Sequence, residues 1–409
     1  MSMLAIQPRH FFLFVLILAY LLPLSASAAP MYKPFEVSGW IPYWRAGAGV
    51  ADALQHVDTF TEINPFVYSV KTDGTIVDKG TLNEEPWVTL RAQAKVKNIR
   101  FVPSIMWSNS DAMHAILSNT KQRIALEDRI VALVKENSFD GIDIDFEGKK
   151  AADRDYFSTF LKGLYMRMGK KWVMCTIEAR TPVADRYAGT TPPPDATLYA
   201  NDYAAINKYC DRVRIMAYDQ QGIDLALANT NSNTLYAPVG DPKWVEKVVN
   251  LAAKSISKKK IVIGVPTYGY EYDVTAYADG YIYDILWTFN PGYAIPLASL
   301  FNVIPVRVGG NEIGFSYTPT STNATAPVSS DPLIPTAEVA GTMAGDVTAT
   351  LARYAASSTN THSNFHFLSW PDAQSIADKV ALAKRLGVRG VAVFKIDGGE
   401  DMGMWSILK

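Results

Sequence analysis

Eight short β-rich runs alternate with segments of helical periodicity, and this alternation limits the possible folds more than any other feature. The runs are FEVSGWIPYW (35–44), EINPFVYSV (62–70), IRFVPSIMW (99–107), FDGIDIDFE (139–147), WVMCTIEA (172–179), RVRIMAYD (212–219), IVIGVPTYGY (261–270) and GVAVFKID (390–397). Between them, apolar residues recur at helical spacing: Leu126, Ile130, Leu133 and Val134 before run four, and Phe157, Phe160, Leu161 and Leu164 after it. Ile376, Val380, Ala383 and Leu386 precede run eight, with Asp372 placed as a helix cap. Strands that alternate with helices imply a parallel sheet, and eight of them imply a closed (β/α)8 (TIM) barrel of the α/β class. An open doubly wound sheet is the alternative. No G-x-G-x-x-G follows the first run, so a dinucleotide fold loses its main support.

About 120 residues separate runs seven and eight, too many for one loop and one helix. Residues 273–367 are therefore expected to form a small α+β insertion, with the barrel built from 35–272 and 368–409. The insertion holds strand-like runs and a Ser/Thr/Pro-rich loop, TPTSTNATAPVSSDP (318–332).

The formal net charge is −1 and no Lys/Arg-rich block is present, which leaves no electrostatic case for nucleic acid. At the N-terminus, Arg9 and His10 precede an apolar run from Phe11 to Leu22, and Ala26 and Ala28 form an A-x-A site. Residues 1–28 are read as a cleaved signal peptide. The expected location is secreted, with no membrane attachment after cleavage. An uncleaved anchor is the alternative, but a span needs about 20 apolar residues. Cys175 lies in an apolar strand-like run, so a buried free thiol is expected, although export would permit a disulfide with Cys210. The histidines at 56, 114, 362 and 366 show no ligand spacing, so neither a metal nor a cofactor is expected.

Run four concentrates the chemistry. Along a strand, side chains alternate between faces, so Asp143, Asp145 and Glu147 share the barrel interior while Ile142, Ile144 and Phe146 face the helices. Glu147 comes last, at the carboxyl end where barrel enzymes keep their active sites. Three carboxylates spaced by about 7 Å raise one another's pKa, and a carboxylic acid held protonated near neutrality is what a general acid requires. A structural carboxylate ladder or a divalent-cation site are the alternatives. Asp140, of opposite parity, is read as structural, capping the strand entrance.

The segment DGIDIDFE resembles the D-G-x-D-x-D-x-E signature of glycoside hydrolase family 18, the chitinases and related N-acetylglucosaminidases. RIMAYD resembles that family's M-x-Y-D, GVPTYGY its strand-seven motif, and SWPDAQSIADKVALAKRLGVRGV its closing helix and strand. The resemblance runs from about residue 35 to the C-terminus. It implies a secreted glycosidase acting on β-1,4-linked N-acetylglucosamine glycans, chitin or peptidoglycan, by retaining, substrate-assisted catalysis. Glu147 would protonate the leaving oxygen. Asp145 would orient the acetamide, Asp143 would share a proton with Asp145, and Tyr218 would donate to the acetamide carbonyl. Asp219 would help hold the substrate, and Met216 would floor the pocket or simply fill the barrel. The implied partner is the polysaccharide, and a monomer is expected. A non-catalytic lectin on the same fold is the competing reading, and such relatives lose the acid.

The chain departs from the family at Phe394, where a Trp is usual. Glu178 and Arg180 are placed near the cleft mouth, to contact substrate or to pair at the rim with Lys395. Trp40, Tyr43 and Trp44 at the end of run one and Trp107 at the end of run three are expected to line a sugar cleft. Trp287 and Trp370 fall in or beside the insertion.

Overall fold

The computed structural model describes residues 35–319, 343–359 and 361–409. The expected signal peptide and most of the Ser/Thr/Pro-rich loop lie outside the described residues.

Eight parallel strands close into a barrel. In chain order they are Glu36–Pro42, Glu62–Val70, Ser104–Trp107, Gly141–Phe146, Trp172–Glu178, Arg212–Met216, Ile261–Pro266 and Gly390–Phe394. The first pairs with both the second and the last, which closes the sheet. A layer of helices surrounds it. Thr120–Glu136 buries Leu126, Ile130 and Val134, and Arg154–Met168 buries Phe157, Phe160, Leu161 and Leu164, as their spacing predicts. Leu133 is only half-buried. In the helix Ala373–Leu386, Asp372 caps the start by accepting from the Ser375 amide at 3.0 Å, and Gly387 ends it at φ 67°. That left-handed backbone is one glycine adopts without steric cost.

Outward-facing strand residues such as Ile142, Ile144, Phe146, Val213 and Ile215 are fully buried against these helices. The amino-terminal end of the barrel interior is closed by charge. Glu36 receives Arg212 at 2.7 Å and Arg389 at 3.0 Å, and Glu62 receives Arg100 at 2.9 Å. Asp140 accepts from the Phe101 amide at 2.8 Å at this same end, the strand-entrance role expected for it.

A second, antiparallel sheet holds Gly269–Tyr277, Gly280–Phe289, Ile313–Tyr317 and Ser363–Trp370, with the helix Val347–Thr359 against it. Its strands begin at 269 and end at 370, wider than 273–367. The cause is local: barrel strand seven stops at Pro266, and the next strand starts at Gly269, so one β-rich run hides two strands. Trp370 is buried in this sheet's own core, whereas Trp287 is partly exposed.

The cysteines correct the sequence expectation. Cys175 and Cys210 form a disulfide across a Cα–Cα distance of 5.9 Å. Cys175 points outward from strand five, and Cys210 lies two residues before strand six, which pairs beside it. Apolar surroundings alone misread it, because adjacency of the two segments appears only once the sheet forms. The bond closes a loop of sequence separation 35, for which chain entropy suggests roughly 3–4 kcal/mol of stabilisation. Thiol titration in denaturant without reductant should therefore find no free thiol, and the Cys175→Ser/Cys210→Ser protein should lose stability of that order. Two titratable thiols in the unreduced protein would contradict the assignment.

Candidate active site

Strand four is buried throughout, and its inward side chains climb from a saturated site to an open one. Asp143 is the deepest and has no exposure. Its Oδ2 accepts from Trp40 Nε1 at 3.0 Å and Ser104 Oγ at 2.6 Å. Its Oδ1 accepts from Thr176 Oγ1 at 2.8 Å and lies 2.9 Å from Arg214 Nη1. Arg214 also pairs with Glu62, linking Asp143 to the charged end of the barrel. Burial pushes the Asp143 carboxyl up, against the pull of its three hydrogen bonds. Burial lowers Arg214 to about 9.

This arrangement revises two expectations. Trp40 is 1% exposed and does not line the cleft; its indole N–H holds Asp143 in place. No hydrogen bond joins Asp143 to Asp145 among the described residues: both oxygens of Asp143 are taken by donors from strands one, three and five, with the Arg214 charge of strand six beside them. Strand parity could have found Arg214, which sits two residues before the inward-facing Met216.

Asp145 is 3% exposed, and its Oδ1 has no hydrogen-bond partner among the described residues. Burial first, then the charges of Glu147 and Asp143, push its pKa well up. An unpaired buried carboxylate oxygen is costly, so the site is built to receive a donor. Glu147 is half-buried at the strand end, its amide bonded to the Trp107 carbonyl at 2.8 Å. Burial and the neighbouring Glu178 charge raise its carboxyl, and Lys149 opposes them.

Glu178 accepts from Asn201 at 2.7 Å and from the Gly148 amide at 3.0 Å, and Lys149 Nζ lies 3.4 Å away. Burial pushes Glu178 up, but Lys149 and these donors outweigh it and hold the group low. Glu178, Arg180 and Lys395 do not pair with one another. Arg180 stacks on Tyr199 and Tyr203 and donates to the Asn201 carbonyl at 2.9 Å. Lys395 binds Asn290 at 2.9 Å and pairs with Asp397.

Phe394 occupies the pocket base. Its ring stacks on Tyr218 at 5.6 Å and meets Trp40, Phe66 and Tyr268 edge-on. Met216 packs against the same aromatic group. A side chain at Gly264 would fall 2.8 Å from the Tyr218 ring, so glycine there makes room for it. Burial and the surrounding carboxylates push the Tyr218 hydroxyl far up, which keeps it a donor. Exposed Asp219 accepts from Tyr268 and, at 2.6 Å, from Tyr270. The second sheet thus grips the rim of strand six. Beside it opens a cavity of ≈ 380 Å³, lined among others by half-exposed Trp44, Tyr270, Phe289, Phe394 and Lys395. Tyr43 meets the Trp44 ring edge-on. Trp107 is 3% exposed and packs edge-on against Phe146, so most of its ring is core. Among the described residues, no group of three or more His, Cys, Asp or Glu is placed to hold a metal ion, and no helix is long and apolar enough to cross a membrane.

Residues 40–399 match the family model "Glycosyl hydrolases family 18". The chain belongs to this family. One curated relative is the uncharacterized glycosylase YvbX of Bacillus subtilis (strain 168), 26% identical over 229 residues; the match covers 53% of this chain and 61% of that protein. The spore cortex-lytic enzyme SleL of Bacillus megaterium QM B1551 shares the fold at TM-score 0.64 and 20% identity, over 93% of this chain and 74% of that one. A chitinase of Chromobacterium violaceum ATCC 12472 does so at 0.64 and 17%, over 91% and 98%. Residues the sequence reading missed, Arg214, Lys149, Asn201, Phe66 and Tyr268, support this family site from neighbouring strands and loops.

Removing the Glu178 charge and freeing Lys149 act on Glu147 in the same direction. In Glu178→Gln protein the Glu147 carboxyl should titrate at lower pH than in wild type, as read from its 13C chemical shift. An unchanged or raised midpoint would contradict this account of its environment.

Proposed function

We propose that the protein is a retaining glycosidase that cleaves β-1,4-linked N-acetylglucosamine glycans, chitin or peptidoglycan, with assistance from the substrate's own acetamide. The observation that carries this reading is the gradient along strand four. Asp143 is saturated with donors, Asp145 is buried with one oxygen unpartnered, and Glu147 is half-open with its carboxyl raised.

In this mechanism Glu147 carries the proton that the leaving glycosidic oxygen receives. Its raised pKa keeps the acid form populated to higher pH than an ordinary glutamate would, and activity falls as pH rises through that value. The acetamide oxygen attacks the anomeric carbon. Asp145 Oδ1 accepts the acetamide N–H, which fixes its orientation and offsets the positive charge that develops on the oxazolinium-like ring. Tyr218 donates to the acetamide oxygen. After the aglycone leaves, the Glu147 carboxylate takes a proton from the water that opens the ring. Phe394 offers an apolar face under the reacting sugar, and Trp44 and Tyr43 offer further stacking surface. Asp219 holds the substrate from the far rim.

Export fits both the N-terminal apolar run with its A-x-A site and the disulfide, which persists in oxidising compartments. We propose that the mature enzyme works as a secreted monomer. The lectin reading is disfavoured because the acid position holds Glu147.

Glu147→Gln should fold with unchanged thermal stability and lose about 10²–10⁴-fold in kcat, measured on chitin oligomers and purified peptidoglycan in parallel with products read by mass. Wild-type turnover by that variant would sink the assignment of the acid. Release from neither glycan by the wild-type protein would bring the lectin reading forward.

A further inference from the structure

A second cavity of ≈ 380 Å³ opens at the carboxyl ends of barrel strands two and three. Ser69, Lys71, Val77, Lys79, Met106, Trp107 and Asn109 are among its lining residues, and no carboxylate is. Its position is fixed by sheet register: Met106 pairs with Asp145 and Trp107 with Phe146. The cavity therefore borders the strand that precedes Glu147, one strand away from the reacting centre.

Its outer wall is a hairpin. Barrel strand two runs on to Val70 and pairs antiparallel with Ile76–Asp78, Ser69 facing Val77. Side chains alternate along each arm, so Ser69 and Lys71 share one face with Val77 and Lys79. Both lysines are exposed, and neither forms an ion pair with a described residue. Lys79 Nζ lies 5.6 Å from the centre of the Tyr43 ring, which ties the hairpin to the cleft residues of strand one. The nearby acids are engaged locally: Asp78 accepts from the Gly80 and Leu82 amides, and Asp73 from the Thr75 amide. The cavity beside Phe394 differs, because there Lys395 is neutralised by Asp397. Two exposed ammonium groups without an ion-pair partner among the described residues, on a cavity wall that carries no carboxylate, describe a site for an anion.

We infer that the hairpin with Lys71 and Lys79 binds a carboxylate carried by a sugar of the glycan seated beside Glu147, so that the substrate class is an N-acetylglucosamine polymer with acid-bearing residues and not a neutral homopolymer. This rests on the reading of the cleft as a glycan site. Alternating N-acetylglucosamine and its 3-O-lactyl ether, with the lactyl carboxyl free of a peptide stem as in stripped peptidoglycan strands, has that chemistry; chitin does not.

The test uses the full chain carrying Glu147→Gln, so that ligand is bound and not consumed. Calorimetry compares a tetrasaccharide of the alternating glycan having free lactyl carboxylates with the same tetrasaccharide as its lactyl amide. Two exposed ion pairs predict a preference of roughly five- to tenfold for the carboxylate form, shrinking as salt rises from low to physiological strength. Adding Lys71→Ala and Lys79→Ala should bring the ratio close to one, with circular dichroism and melting temperature unchanged. A ratio near one before the lysines are removed, or a preference that survives their removal, overturns the inference. Hydrolysis of chitotetraose by wild-type protein, measured alongside, separates the two claims. If it persists without any charge preference, only the anionic-substrate inference falls. If no glycan is bound or cleaved, the glycosidase reading falls with it.

Discussion

The structure depends on how a barrel interior accommodates three carboxylates on one strand. Taking a carboxylate out of water costs several kcal/mol unless donors replace the solvent. Here Asp143 accepts hydrogen bonds from Trp40, Ser104 and Thr176 and pairs with the Arg214 charge, one group from each of four barrel strands. Arg214 passes the link to Glu62, and Arg100 bridges Glu62 to Glu36. A chain of alternating charge thus fills the barrel from its amino-terminal end to the level of the pocket. Its removal at any point would leave a buried ion unpaired, so the same contacts that stabilise the barrel fix the position of strand four.

That arrangement divides labour among similar groups. Asp143, surrounded by donors, acts as an acceptor and anchors the strand. Asp145, one step higher, faces too few donors and keeps an open oxygen. Glu147, at the rim, is tuned by opposing neighbours, Glu178 raising and Lys149 lowering its pKa. The carboxylate most open to solvent is therefore the last on the strand, the position that the proposed mechanism assigns to the acid.

Much of this was legible in the sequence because it follows local periodicity. The period-two alternation in FDGIDIDFE separated the acidic face from the apolar one, and the helix-spaced apolar residues marked the barrel's outer layer. What escaped depended on which strands become neighbours. Trp40 looked like a cleft aromatic because it ends a β-rich run, yet it is the donor under Asp143. The disulfide joins two segments made adjacent only by pairing of strands five and six. Arg180 looked like a rim charge, but Tyr199 and Tyr203 sandwich it. The second sheet starts at Gly269, after a loop of two residues from barrel strand seven, and no composition change marks that corner.

The central claim is that strand four supports substrate-assisted hydrolysis, with one enzyme acid and an internal acetamide nucleophile. The most direct measurement is proton NMR of the first product formed from an N-acetylglucosamine glycan, taken before mutarotation. The account predicts the β-anomer at the new reducing end, because two successive displacements retain configuration. An α-anomer as the initial product would mean direct attack by water and would contradict it.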